Sequence, residues 1–355
     1  MRRLVTAGML VLMWSVATTT FAAADPPGPT DYMNDVTEVS PDVAGFAVEI
    51  IGGDSFVLLT VDPGVTVEVV GYQGEPYLRF LEDGIVEENQ HAPSTYLNEE
   101  RFAAVDLPAE ADVDAAPDWK VVGTDGSYAW HDHRTHWMNP EPPPGRAPGD
   151  QIVEGVVPLV VDGVEVGVTV VSVWQQPPSS VPVALGFTLG LLIAFGLLRR
   201  RDSVLAPSLL VLGLAATVVG VVAYLSVPAE TSPPWSLWVF PVTGLLVALV
   251  VLALGNRGGM VERQRQTLLL VAAVELVGWG VSHWGWLWPS ILPTSLPFWV
   301  DRFVASTVLV SAIGAAAAVI AATAAPSLSA GLLGAPTGLL RGPQPQRPSR
   351  RRFRR

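Results

Sequence analysis

The segment "VPLVVDGVEVGVTVVSVWQQPPSSVPVALGFTLGLLIAFGLLRRR", residues 157–201, decides the fold class. Two Val-rich runs flank Asp162-Gly163, and Asp-Gly between such runs is the strongest short-range signal for a β-hairpin, because the tight turn needs positive φ. "QQPPSS", residues 175–180, then breaks the β texture with a short, stiff tether. From Val181 to Leu198 the chain is uncharged and apolar, and Arg199-Arg200-Arg201 closes it. A hydrocarbon core takes roughly 20 residues of helix. One stretch of sequence therefore joins a β domain to a membrane span.

Four further apolar segments follow, about Leu205 to Val227, Trp235 to Gly255, Thr267 to Trp288 and Phe303 to Ala325, so residues 181–325 are expected to form a bundle of five transmembrane helices. Arg-bearing connections follow the first and third spans, and an Arg-rich tail follows the fifth. The positive-inside rule assigns these to the cytoplasm. Trp174, Trp235, Trp238, Trp284, Trp286, Trp288 and Trp299 all fall at the opposite ends, as one leaflet's aromatic belt would. Residues 326–355, rich in Gly, Pro, Ser and Arg, have too little apolar surface to fold and are expected to be a disordered basic cytoplasmic tail.

Upstream, Arg2-Arg3, an apolar stretch from Leu4 to Val16 and Ala22-Ala23-Ala24 have the pattern of a signal peptide over residues 1–24. Cleaved or retained as an anchor, it leaves residues 25–180 extracytoplasmic. This region holds 28 acidic and 5 basic side chains, a net of −23, whereas residues 181–355 hold 5 acids and 14 bases, a net of +9. Such an asymmetry argues against a nucleic-acid partner and for a chain divided between two compartments. The absence of cysteine excludes disulfides, thiolate metal sites and a cysteine nucleophile.

The extracytoplasmic region reads as β. "FAVEII" (46–51), "SFVLLTV" (55–61), "VTVEVVGY" (65–72) and "YLRFL" (77–81) are short β-branched or aromatic runs separated by Gly-Gly-Asp, Asp-Pro-Gly and Gln-Gly-Glu-Pro turns. Seven to nine strands in this length indicate an Ig-like β-sandwich in the broad sense. The Pro-rich stretch 139–149 must be an extended loop.

Chemistry concentrates in "YAWHDHRTHWM", Tyr128 to Met138. Were this an extended strand, His131 and His133 would share one face, and His136 would join them only if the chain bends near Thr135. A His-x-His pair presents two imidazoles to zinc or copper, and His136, His91, Glu99, Glu100 or the soft Met138 could complete the site. Neutral imidazoles at their ordinary pKa would release the metal as pH falls through about 6.5. The competing reading is a hydrogen-bonded polar network, with Arg134 paired to Asp132 and stacked on Trp130 or Trp137, and no metal. A pH-responsive interface is a variant of it. Signatures of zincins, α/β-hydrolases, P-loop enzymes and dinucleotide-binding folds are absent.

In the membrane region Glu275 and His283 lie on the fourth span, eight residues and about 80° apart. Such residues face a bundle interior or a proton or ion path. Gly186 with Gly190, Ala216 with Gly220, and Gly314 with Ala318 have the spacing of helix-packing faces.

"GYQGEPYLRF" (71–80), "APSTYLNEERF" (92–102) and "WHDHRTHWM" (130–138), followed by a tether and a helical region, resemble a group of uncharacterised actinobacterial membrane proteins. The resemblance covers the extracytoplasmic region and the layout of the spans. It implies an envelope location and transfers no activity. Two functions follow from the residues. The first is an extracytoplasmic module that binds copper or zinc. The second is a non-enzymatic interaction protein whose acidic domain binds an envelope protein or a cell-wall component, with the bilayer as anchor.

Overall fold

The computed structural model describes residues 26–199, 201–255 and 259–333; the expected signal peptide, Arg257 and the chain beyond Leu333 lie outside them. Ten strands precede the long helices: β1 (Tyr32–Ser40), β2 (Phe46–Ile51), β3 (Phe56–Val61), β4 (Val67–Val70), β5 (Pro76–Phe80), β6 (Val86–Asn89), β7 (Trp119–Gly123), β8 (Ser127–Trp130), β9 (Gln151–Val161) and β10 (Val164–Trp174). A five-residue helix, α1 (Pro93–Leu97), lies between β6 and β7.

The strands form two sheets, β1-β10-β9-β4-β5-β6-β7 and β2-β3-β8, and every pairing is antiparallel. One apolar core joins them. Val57 and Leu59 of the small sheet pack with Val69, Leu78, Phe80, Leu159 and Val168 of the large one, and all are essentially without solvent contact. Alternation along β3, β9 and β10 puts these side chains on one face. Seven strands against three is more lopsided than the near-equal halves of an Ig-like sandwich. The strands that sequence reading underweights, β6 to β8, are only four or five residues long, too short for a clear alternating pattern.

The hairpin at Asp162-Gly163 forms as its sequence requires. Val161 pairs with Val164, and Asp162 and Gly163 have φ of 46° and 83°, the geometry of a two-residue primed turn.

Five long helices follow: α2 (Val181–Arg199), α3 (Arg201–Leu225), α4 (Ser236–Gly255), α5 (Glu262–Ser282) and α6 (Phe298–Leu333). Four of them, α2, α3, α4 and α6, are long and apolar enough to cross a membrane. The fifth, α5, opens on Glu262, Arg263, Gln264, Arg265 and Gln266, and that polar turn shortens its apolar length. The last helix is described to Leu333, eight residues past Ala325. An established helix is extended at little cost per residue.

The helices bury small residues against one another and turn large ones outward. A side chain at Gly186 would collide with Ser306 Oγ, and one at Gly190 with Val310 and the Thr307 carbonyl, so α2 and α6 meet at backbone distance. Gly314 likewise abuts Ala194, and Gly220 the Leu237 carbonyl. Leu191, Leu192, Val211, Leu246 and Ile313 are exposed on the outer surface, as lipid contact favours.

The two regions touch. Thr30 and Ile291 exchange backbone hydrogen bonds of 3.0 and 2.8 Å, and Asp31 accepts from the Ser290 N–H and hydroxyl at 2.8 and 3.0 Å. The α5–α6 connection therefore docks against the residues that lead into β1.

Candidate metal centre

Strand β8 ends at Trp130, so the expected alternation of His131 and His133 on one strand face does not apply. The chain turns instead. The Thr135 N–H and hydroxyl both donate to the Asp132 carbonyl, at 3.1 and 2.8 Å. This is the bend near Thr135 on which the inclusion of His136 depends. The turn lies so close over β9 that a side chain at Gly155 would overlap the Arg134 carbonyl. Asn34 of β1 donates to the Thr135 carbonyl at 2.7 Å and ties the turn to the large sheet.

Folded this way, His131, His133 and His136 converge, with a nitrogen of each within 4.8 Å of the others. Ring centroids are separated by 4.3 Å for His131 and His136, 5.3 Å for His131 and His133, and 5.6 Å for His133 and His136. Each ring has one nitrogen on a backbone carbonyl: His131 Nδ1 on Ser55 at 2.5 Å, His133 Nε2 on Glu100 at 2.9 Å, and His136 Nδ1 on Trp137 at 3.0 Å. A carbonyl only accepts, so these nitrogens carry the protons. The lone pairs are then left on His131 Nε2, His136 Nε2 and His133 Nδ1. Nε2 of His131 and of His136 are buried without any hydrogen-bond partner.

Burial favours the neutral form of all three imidazoles. Burial, with the Arg101 cation second, holds His131 down at about 4. Burial, then the neighbouring His131, holds His136 at about 2, and burial also lowers His133. A metal would find lone pairs free and no proton to expel.

A separate polar network surrounds the turn. Asp132, fully buried, receives Arg134 Nε and Nη2 at 2.8 and 2.7 Å and the Trp130 indole at 3.0 Å. Burial alone would raise this carboxyl, but the Arg134 guanidinium outweighs it and holds the pKa below the usual value. Arg134 Nη1 donates to the Val70 carbonyl at 2.9 Å, and its guanidinium lies 4.9 Å from the Tyr72 ring. The aromatic partner is thus a phenol and neither of the expected indoles; the Trp137 indole donates outward to the Glu141 carbonyl. Tyr72 also stacks on His133, accepts the His133 N–H at 2.9 Å and donates to Asn98.

Of the other candidate ligands, His91 holds the Ala116 carbonyl through Nδ1 at 2.7 Å, and neither it nor Glu99 belongs to the convergent group. Met138 is exposed, and Glu100 contributes its backbone carbonyl. Tyr72, Ser55 and Arg101 were not legible as site residues. They reach it from distant segments, of which the Gly-Gly-Asp turn before Ser55 and the Gln-Gly-Glu-Pro turn after Tyr72 were legible as turns, and "NEERF" only as part of the resemblance.

In the helical region Glu275 is half-buried on α5. His283, fully buried, caps the same helix between Trp279 and Trp286, with centroids at 4.2 and 5.0 Å. Asp301, at the start of α6, is a further buried carboxyl, with neither oxygen hydrogen-bonded. Sequence reading passed over it because the apolar run begins two residues later.

No protein-family model, curated protein or solved structure matches this chain.

Proposed function

We propose that the chain is a membrane-anchored protein whose β domain, held outside the cytoplasm, binds a zinc or copper ion through His131, His133 and His136. The carrying observation is that His131 and His136 each bury an unpartnered Nε2 while Nδ1 is fixed on a carbonyl, and that a nitrogen of each of the three histidines lies within 4.8 Å of the others. Buried polar atoms almost always find a partner. Outer-sphere carbonyls that set the tautomer are the usual support of metal-bound imidazole. The Asp132–Arg134 network accounts for Trp130, Asp132 and Arg134 but leaves these nitrogens unexplained, so it supports the turn and does not replace the metal.

The membrane reading takes all five helices as spans. The contact of the α5–α6 connection with Thr30 and Asp31 supports this, since an even number of crossings must separate it from the tether. The Arg pattern favours taking the shared side as the outer one.

The test is calorimetric titration of the whole chain in detergent with Zn²⁺ and Cu²⁺, beside elemental analysis. We expect one ion per chain, bound tighter than roughly micromolar. His131→Ala and His136→Ala should abolish tight binding, and in chelator each should also lose roughly 1–3 kcal/mol of stability for the buried hydrogen bond removed. Arg134→Gln should lower stability by roughly 3–5 kcal/mol, chelator or not, by stranding a buried carboxylate. Absence of saturable binding overturns the proposal.

A further inference from the structure

Beside the three imidazoles lies a cleft of about 290 Å³ at the junction of the β domain and the α5–α6 connection. His131 lines it, together with Arg101, Tyr32, Phe102, Trp137 and Asn139. One ring of the site, His131, therefore borders a chamber of small-molecule size, while its Nε2 is turned into the buried side. We propose that the metal keeps a coordination position directed into this cleft and binds there a small oxyanion of the carboxylate type. This inference rests on the metal reading above.

Three arguments carry it. The donor set comes first: among the described residues no carboxylate joins the three histidines, so a divalent ion there keeps its full charge and has three neutral imidazoles as its side-chain donors. Three protein donors with an open position are the pattern of reactive rather than closed zinc sites.

The charge of the cleft comes second. Arg101 lines the cavity, and its guanidinium is bonded to Asp54, whose side chain is wholly buried. Asp31, also on the wall, is occupied at Oδ1 by Ser290. Arg101 is paired with Asp54 and Asp31 is shared with the Arg302 cation, so with a divalent ion at least one positive charge is left uncompensated, which a monoanion would offset. Asp132 does not alter this, because Arg134 neutralises it.

The third argument is the wall itself. Tyr32, Phe102 and Trp137 give it aromatic surface, and a ligand with an apolar body behind its carboxylate would bury that body there. Inorganic anions would use the charge alone.

Cobalt provides the test, because its visible spectrum reports coordination number. The whole chain in detergent is loaded with Co²⁺ and titrated with acetate and then benzoate. A saturable spectral change is expected with both, with benzoate the tighter. Asn139→Trp, at an exposed position on the rim, should load Co²⁺ normally yet bind benzoate at least roughly tenfold more weakly. A spectrum unmoved by either anion would overturn the open position and leave the metal reading intact. Benzoate binding unchanged in Asn139→Trp would overturn the cleft as its route. Failure to load Co²⁺, Zn²⁺ or Cu²⁺ at all would remove the metal reading and this inference with it.

Discussion

At the scale of single residues, the histidines show how burial changes a function that residue type alone suggests. An exposed imidazole exchanges its proton near pH 6.5. Here the cost of charging a buried ring lowers His131 to about 4 and His136 to about 2. Release by acid of a metal bound as proposed, expected near 6.5 from sequence, would therefore move well below it. The same shift makes stability depend on pH. The folded pKa lies below the unfolded one, so as pH falls the unfolded chain takes up the proton first. The stabilising contribution is complete above 6.5 and is lost between 6.5 and about 4 for His131. At about 1.36 kcal/mol per pKa unit, His131 alone accounts for roughly 3 kcal/mol. Thermal melts of the metal-free chain should show the loss across that window, and His131→Gln should flatten it. Equal slopes in both proteins would remove the assignment to His131.

At the scale of elements, the site exists because a turn, not a strand, carries the motif. The chain reverses at Asp132–Thr135 and crosses β9 where Gly155 leaves room for the Arg134 carbonyl. A methyl group at that position must push the turn off the sheet, and the histidines move with it. Gly155→Ala is expected to weaken metal binding by roughly 10- to 100-fold, the loss typical of disturbing the support around metal ligands. Titration calorimetry measures it, and unchanged affinity would show that the turn does not depend on this close approach. The histidine spacing in sequence could not supply this information. Period-two alternation predicts two imidazoles together and the third on the other face, whereas the backbone hydrogen bonds of the turn bring all three to one point.

At the scale of the whole molecule, the docking of Thr30 and Asp31 on Ile291 and Ser290 binds the β domain to the helices beyond the tether, and the turn at Ala229–Thr231 between α3 and α4 also lies against β8. Sidedness is open to direct measurement, because the chain has no cysteine and a single introduced one reports alone. Met138 and Val261 are both exposed. In intact cells Met138→Cys should react with a membrane-impermeant maleimide, and Val261→Cys, in the connection between α4 and α5, should react only after permeabilisation. The reverse order would invert the orientation.

The division between β domain and helices, the Asp162-Gly163 hairpin and the small-residue helix contacts were determined by the sequence alone, because each depends on neighbours within a few residues or on a uniform apolar run. The motif was visible too, as an unusual density of histidine. What only the tertiary structure decided was which atoms meet. Ser55 and Glu100 arrive from other segments to fix two ring tautomers, Tyr72 to hold the His133 backbone, and Arg101 to line the cleft. Asp301 is sequestered by helix packing that no local pattern records. Spacing along the chain specifies what a segment can form by itself; convergence between segments depends on burial and long-range hydrogen bonds, which exist only once the chain has folded.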